Sequence, residues 1–146
     1  MRRRHPANAP PTPLGDALAR IGDRWTLLVV AALLDGEKRF NELQEQLDGI
    51  APNVLSGRLK LLGEQALIVS RPYSERPPRF VYELAAAGRE LAGALRLLAD
   101  WGARHTGDVD PPRHSVCGTA LEAVWYCPTC EMPVDDAGAE EDVHYA

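Results

Sequence analysis

From Trp25 to Leu34 the chain runs ten residues without a charge, between Asp23 on one side and Asp35-Gly36 on the other. A helix that is apolar on every side has no face to give to water, so other elements must cover it all round. Ten residues are well short of the roughly 18–20 that a bilayer crossing takes. The expectation is a central buried helix in a small soluble domain, with no membrane partner. Asp23 is placed to cap it and Asp35-Gly36 to stop it. No apolar segment follows the opening Arg2-Arg3-Arg4, so no secretory leader is expected and the location is read as cytoplasmic.

The covering elements follow from periodicity. Leu14, Leu18 and Ile21 recur at i, i+4, i+7 on a short first helix ended by Gly22. Phe40, Leu43 and Leu47 face inward from a helix over about 40–47, with Glu42, Gln44 and Glu45 outward. After the turn at Asp48-Gly49, Pro52 fits the first position of a helix reaching about Gln65. Its inward face is Leu55, Leu59 and Leu62; at about 100° per residue the opposite face gathers Asn53, Ser56, Gly57, Lys60 and Glu64. Leu67–Tyr73 and Arg79–Leu84 read as strands joined by Ser74-Glu75-Arg76-Pro77-Pro78. Prolines cannot sit in a central ladder, so the pair forms a protruding hairpin. A long helix over about Ala85–His105 carries Leu84, Ala87, Leu91, Ala94, Leu98 and Trp101 in alternating steps of three and four, a seam for a partner helix.

The net charge of −5 hides two regions. Residues 1–105 hold 15 Arg and Lys against 12 Asp and Glu; residues 106–146 hold Arg113 alone against nine acids. A mildly basic body therefore carries an acidic tail, the balance of a body that meets an anion. The expected organisation is a flexible basic arm (1–11), a helical domain (12–105), a cysteine-bearing extension (111–134) after the break at Asp110-Pro111-Pro112, and an acidic tail (135–146). No Ser/His/acid arrangement, Gly-rich phosphate loop or carboxylate pair in apolar surroundings is present, so the chain is not read as an enzyme.

Short helix, turn, second helix with a polar outer face, then a basic hairpin is the order of a winged helix-turn-helix. A helix about 10–12 Å across fits the major groove, where base edges are distinguishable. The hairpin arginines Arg71, Arg76 and Arg79 lie where phosphates or the minor groove would flank it. Pattern alone leaves DNA and a protein partner as equal candidates for that polar face. The class is mainly α with a small β part (α+β).

Several stretches resemble the HxlR-type winged helix-turn-helix transcriptional regulators: Ile21-Gly22-Asp23-Arg24-Trp25-Thr26-Leu27-Leu28, Arg39-Phe40-Asn41-Glu42-Leu43, and Gly49-Ile50-Ala51-Pro52-Asn53-Val54-Leu55-Ser56-Gly57-Arg58-Leu59. So do the hairpin from Tyr73 to Leu84 and the pair Gly88-Arg89. The likeness covers about residues 12–105 in order. It implies a homodimeric regulator binding an inverted-repeat site in double-stranded DNA, dimerised by its first and last helices, and a repressor where it occludes a promoter. A small-molecule effector is compatible with this and is not identified by any residue. Four positions depart from the family pattern. Thr12-Pro13 stands where members often carry Cys-Pro, the reactive cysteine of thiol-sensing members. Ala51 and Ala85 replace hydroxyl-bearing caps, and Gly57 replaces a longer outward side chain.

The residues expected to contact DNA are Arg39, Asn53, Ser56, Arg58, Lys60, Arg76 and Arg79. Asn53 can pair with adenine through two hydrogen bonds or merely decorate the first turn. Lys60 suits a phosphate better than a base. Arg58, about 60° from Leu55 on the same wheel, suits an internal ion pair with Glu42 or Glu45 as well as it suits DNA. Trp25 and Trp101 read as packing residues rather than as a ligand-stacking pair.

All three cysteines lie near the C-terminus, an odd number that argues against a disulfide framework. His114-x2-Cys117 and Cys127-x2-Cys130 are two knuckles with nine residues between them. One His and three Cys match a closed structural zinc site, so one zinc per chain is expected, in a segment resembling a zinc ribbon. The alternatives are free thiols or a thiol redox switch at Cys127/Cys130. For the whole chain, a protein-binding winged helix is the other reading.

Overall fold

The computed structural model describes residues 12–107 and 109–134; the arm expected over 1–11 and the tail expected over 135–146 lie outside the described residues. The chain divides into two compact units, one ending at Leu95 and one beginning at Arg96. The first contains α1 (Pro13–Ile21), α2 (Arg24–Leu33), β1 (Lys38–Arg39), α3 (Phe40–Gln46), α4 (Pro52–Glu64), β2 (Ile68–Glu75), β3 (Pro78–Leu84) and α5 (Ala86–Arg89). The division falls inside α6 (Ala92–Thr106); β4 (Trp125–Cys127) and β5 (Met132–Val134) belong to the second unit.

The apolar run forms α2 and is covered on several sides but not all round, since Leu28 is left 39% exposed. Val29, Val30, Ala32 and Leu33 are buried together with Leu43 and Leu47 from α3 and its end, Leu55, Leu59 and Leu62 from α4, and Ile50, Ile68 and Leu84. Each fully buried Leu or Val contributes about 1.5–3 kcal/mol, so this cluster is the main source of stability. Asp23 caps α2: its Oδ1 accepts from the backbone N–H of Trp25 (3.0 Å) and of Thr26 (3.2 Å). The Thr26 hydroxyl, buried with its residue, lies 3.4 Å from the same oxygen, so the one buried polar side chain of the core has a partner. Trp25 packs against the core, as expected of it. Thr12 caps α1 through a hydroxyl that accepts from Gly15 N–H at 3.0 Å.

The hairpin has a third strand that periodicity did not reveal. β1 pairs antiparallel with β3, giving the order β1-β3-β2. Two residues are too few to show an alternation, and Lys38-Arg39 qualifies only because Tyr82 and Val81 lie opposite. The strands also reach further out than expected, since Glu75 pairs with Pro78 and only Arg76-Pro77 remain as the turn. The prolines are tolerated by position. Pro72 lies on the edge strand β2, beside a bulge that leaves Tyr73 unpaired, and Pro78 opens β3.

The long helix expected over 85–105 is two helices. After α5 the Leu91 N–H bonds to Gly88 O (3.3 Å), a tightened turn, and α6 starts at Ala92. The start of α5 is fastened at Leu67, whose carbonyl accepts from Ala85 N–H at 2.9 Å and would stand 2.1 Å from a Cβ on Gly88. The expected seam is divided accordingly. Leu84 is buried and Leu91 and Leu95 pack on the core, whereas Leu98 and Trp101 are 57% and 56% exposed. In the second unit, Trp101 stacks on His105 with ring centroids 4.5 Å apart, Arg104 pairs with Asp100, and no described residue is buried.

Gly88→Ala is expected to destabilise the chain by about 3 kcal/mol, because the added methyl meets backbone rather than a movable side chain. Gly63→Ala, in α4 with nothing within 4 Å of the added carbon, is expected to stabilise by about 0.5–1 kcal/mol. Urea unfolding of the two variants checks both signs.

Candidate nucleic-acid interface

Ala51 offers no capping side chain, and Pro52 at the first helical position starts α4 with a preset φ and one fewer unsatisfied N–H. Leu55, Leu59 and Leu62 then turn one face into the core and leave Asn53, Ser56, Gly57 and Lys60 exposed on the other. Nothing lies within 4 Å of where a Gly57 Cβ would stand, so the middle of this face is a gap. Lys60 approaches Glu64 only to 3.9 Å, and both are largely solvated, a pair of little energetic consequence.

Arg58 is placed differently from its neighbours. It is half-buried at the flank of α4 and engages Asp23, not Glu42 or Glu45: Nη2 donates to Oδ2 at 3.1 Å. Nε lies 2.8 Å from Oδ1 but its N–H is not aligned on that oxygen, so the contact is an ion pair rather than a second hydrogen bond. The carboxylate that caps α2 thus also holds α4. The helical wheel found Arg58 on the flank but not which element packs there; it is the start of α2, not α3.

The sheet sorts its cations in the same way. Arg71 is taken by Glu83 at 3.2 Å and by a close contact with Glu37, so the phosphate role expected of it is opposed by two carboxylates. Arg39 precedes α3, where its backbone N–H donates to Glu42 Oε2 at 2.6 Å, and its guanidinium lies 4.7 Å over the Tyr73 ring. Tyr73 was not singled out by sequence; the bulge that presents it leaves no periodic signal. Arg76 and Arg79, at and beside the tip, are exposed and have no carboxylate partner among the described residues.

These residues fall into two neighbouring surfaces. Arg39, Tyr73, Arg79 and Phe80 line a cleft of about 480 Å³ at the side of the sheet. Ser56 and Lys60 share a groove of about 510 Å³ with Val69 and Ser70 of β2. Tyr82 borders both, and burial holds its hydroxyl above the usual range, in the neutral donor form. The polar face of α4 and the hairpin therefore form one continuous edge of the first unit.

In the second unit the expected ligands are brought together in pairs. His114 Nδ1 is 3.2 Å from Cys117 Sγ, and the Thr119 hydroxyl is 3.4 Å from that sulfur. The Thr119 hydroxyl and backbone N–H, then His114, bring the Cys117 thiol down to about 7. Backbone N–H groups of Cys130 and Thr129 lower the Cys127 thiol. All three thiols are free. The pairs are not gathered into one cluster: no three His, Cys, Asp or Glu side chains among the described residues are close enough to share an ion.

A helical core with α4 exposed beside a β-hairpin is the winged helix-turn-helix class of DNA-binding regulators. Residues 20–110 match the HxlR-like helix-turn-helix family, and the chain belongs to it. It is 37% identical over 121 residues to the uncharacterised HTH-type transcriptional regulator Rv3095 of Mycobacterium tuberculosis, covering 80% of this chain and 76% of that one. YtcD of Bacillus subtilis, another HTH-type transcriptional regulator, is 35% identical over 61% of this chain and 71% of its own. Among solved structures, that of ytcD superposes with a TM-score of 0.61 at 32% identity, covering 66% of this chain and 99% of that chain. The candidate transcription factor PA1374 of Pseudomonas aeruginosa reaches 0.63 at 30% identity over 88% of this chain and 96% of its own. The redox regulator HypR in its reduced form gives 0.61 at 27% identity, covering 66% of this chain and 98% of that chain. The chain is thus a member of a transcriptional-regulator family, and no helix among its described residues is long and apolar enough to cross a membrane.

Arg58→Ala is expected to cost about 1 kcal/mol, since the pair is partly exposed. Asp23→Ala, which also uncaps α2, is expected to cost about 2 kcal/mol. In an Arg58→Ala background the cost of Asp23→Ala should fall to the cap's share of about 1 kcal/mol. A double-mutant cycle by urea unfolding reads the difference.

Proposed function

We propose that the chain is a homodimeric, sequence-specific DNA-binding repressor that reads an inverted-repeat operator with α4 in the major groove and the wing on the flanking backbone. The observation that carries this reading is the division of its cations. Arg58 at the flank of α4 and Arg71 on the surface of the hairpin are each paired with carboxylates, while Lys60, Arg76 and Arg79 face solvent on the edge formed by α4 and the hairpin, with Asn53 and Ser56 exposed on α4. Phosphates need unpaired cations and base edges need short polar side chains, and this edge supplies both. In this reading Asn53 and Ser56 address bases, Lys60, Arg76, Arg79 and Arg39 address phosphates, and Arg58 positions α4.

Assembly into a dimer is supported by apolar side chains left exposed among the described residues. Leu14 and Leu18 on α1 are 68% and 54% exposed, and Leu98 and Trp101 on α6 are similarly open. Two-fold symmetry then sets half-sites about one helical turn apart, or a multiple of it. Repression would follow wherever such a site overlaps a promoter.

Duplexes selected from a random pool by the intact protein test the reading. Arg79→Ala should weaken all of them alike and reduce the salt slope of binding by about one per protomer. Asn53→Ala should instead relax preference at one base pair per half-site, by about 1–3 kcal/mol. Sedimentation at micromolar concentration should give twice the chain mass. Failure to enrich any duplex, with a protein partner captured through the same α4 face, would favour the protein-binding alternative.

A further inference from the structure

Residues 113–134 contain two turns built to one plan. In the first, Arg113 bridges Ala120 antiparallel, His114 and Cys117 stand three apart, and Gly118 follows at φ +73°. In the second, Cys127 pairs with Met132 across β4 and β5, Cys127 and Cys130 stand three apart, and Glu131 follows at φ +55°. The left-handed backbone after the second donor is inexpensive at Gly118 and unfavourable at Glu131. That both turns adopt it shows that the bend, not the side chain at that place, is what the segment preserves.

Each turn holds its two donor side chains together. The His114 Nδ1 to Cys117 Sγ separation of 3.2 Å compares with about 3.6 Å for the N···S edge of a tetrahedron at ordinary zinc–ligand distances. At the second turn, Cys127 lies in the β4–β5 ladder opposite Met132, with Cys130 in the turn between them. The segment's other contacts are local hydrogen bonds and the short β4–β5 ladder, with no apolar core behind them. None of its residues is buried, and Val116, Val124, Trp125, Tyr126 and Met132 are each more than half exposed. A stretch this short with no core is held by a cross-link or a metal, and its thiols are free.

We propose that the two turns close on a single zinc ion, with His114 and Cys117 from one and Cys127 and Cys130 from the other, to make a structural site in the C-terminal extension. As described, the two pairs are separate half-sites. The nine intervening residues, 118–126, can span up to about 30 Å, ample for the turns to meet. On binding, the three cysteines lose their thiol protons and the neutral imidazole gives a lone pair, which leaves the site at −1. Three thiolates and one imidazole select zinc over harder cations, and four protein ligands leave no open position for a reacting molecule.

The test uses the full chain purified without chelator or nickel resin. Elemental analysis should give about one zinc per chain, and cobalt substitution should give tetrahedral d–d bands with thiolate-to-cobalt charge transfer. Cys130→Ser should lower zinc affinity at least tenfold, whereas Ser115→Ala, between the donors of the first turn, should leave it unchanged. Removing zinc should speed proteolysis within 113–134 and leave 12–95 resistant. Under a tenth of a zinc per chain from reduced protein, one zinc per two chains, or unchanged zinc affinity in Cys130→Ser would each overturn the proposal. So would a Cys127–Cys130 disulfide in the native protein whose reduction gives no zinc uptake.

Discussion

Burying most of α2 leaves its first backbone N–H groups as the part that still needs polar partners, and Asp23 supplies them. Because α4 packs on α2, the same carboxylate lies within reach of Arg58 and ties the exposed helix to the buried one. The direction in which Asn53, Ser56 and Lys60 point is thereby coupled to the most buried element of the fold. A recognition surface set on a rigid core element places its side chains more accurately than one set on a loop. In the proposed reading, that coupling, rather than the sum of surface charge, would hold the polar face of α4 in place against DNA.

The electrostatics follow the same economy of placement. The basic excess of residues 1–105 is small, and a body with so little net charge would bind an anion weakly if its cations were spread evenly. They are not. Acidic residues take up Arg58 and Arg71 where the fold needs them, and the wing is left with Arg76 and Arg79 facing outward. Arg39 is steered over Tyr73, at the mouth of the cleft that Arg79 also lines. A weakly basic domain can in this way present a locally strong cationic edge.

The helices that make the core were legible because their apolar residues recur at helical spacing and their ends carry local signals such as Asp23, Pro52 and Asp48-Gly49. What escaped was set by tertiary contact. Lys38-Arg39 is a strand only because β3 lies beside it, and the close approach of Gly88 to the Leu67 carbonyl, just before the interruption at Glu90-Leu91, is likewise a contact that periodicity does not carry. The partner of Arg58 was missed for a related reason: a helical wheel gives a direction but not the neighbour found there. Asn53, Ser56, Lys60, Arg76 and Arg79 stand exposed where the periodicity put them. The pairing of His114 with Cys117 and of Cys127 with Cys130 was readable from spacing, whereas the separation of the two pairs was not.

Thr12 illustrates how a family position can change its work. The position where the family resemblance leads one to look for a cysteine carries a hydroxyl that caps α1, and the three cysteines all lie in the extension. The family's regulatory chemistry and its DNA-reading architecture are in that sense separable within one chain. The most direct test of the reading head is methylation interference at guanine N7, which lies in the major groove, on a selected duplex bound by the intact protein. Interference in two symmetric patches centred about 10 base pairs apart, or a multiple of that, is the predicted result. Tight binding with no guanine N7 interference, or with a single patch, would contradict the placement of α4 as the element that reads DNA.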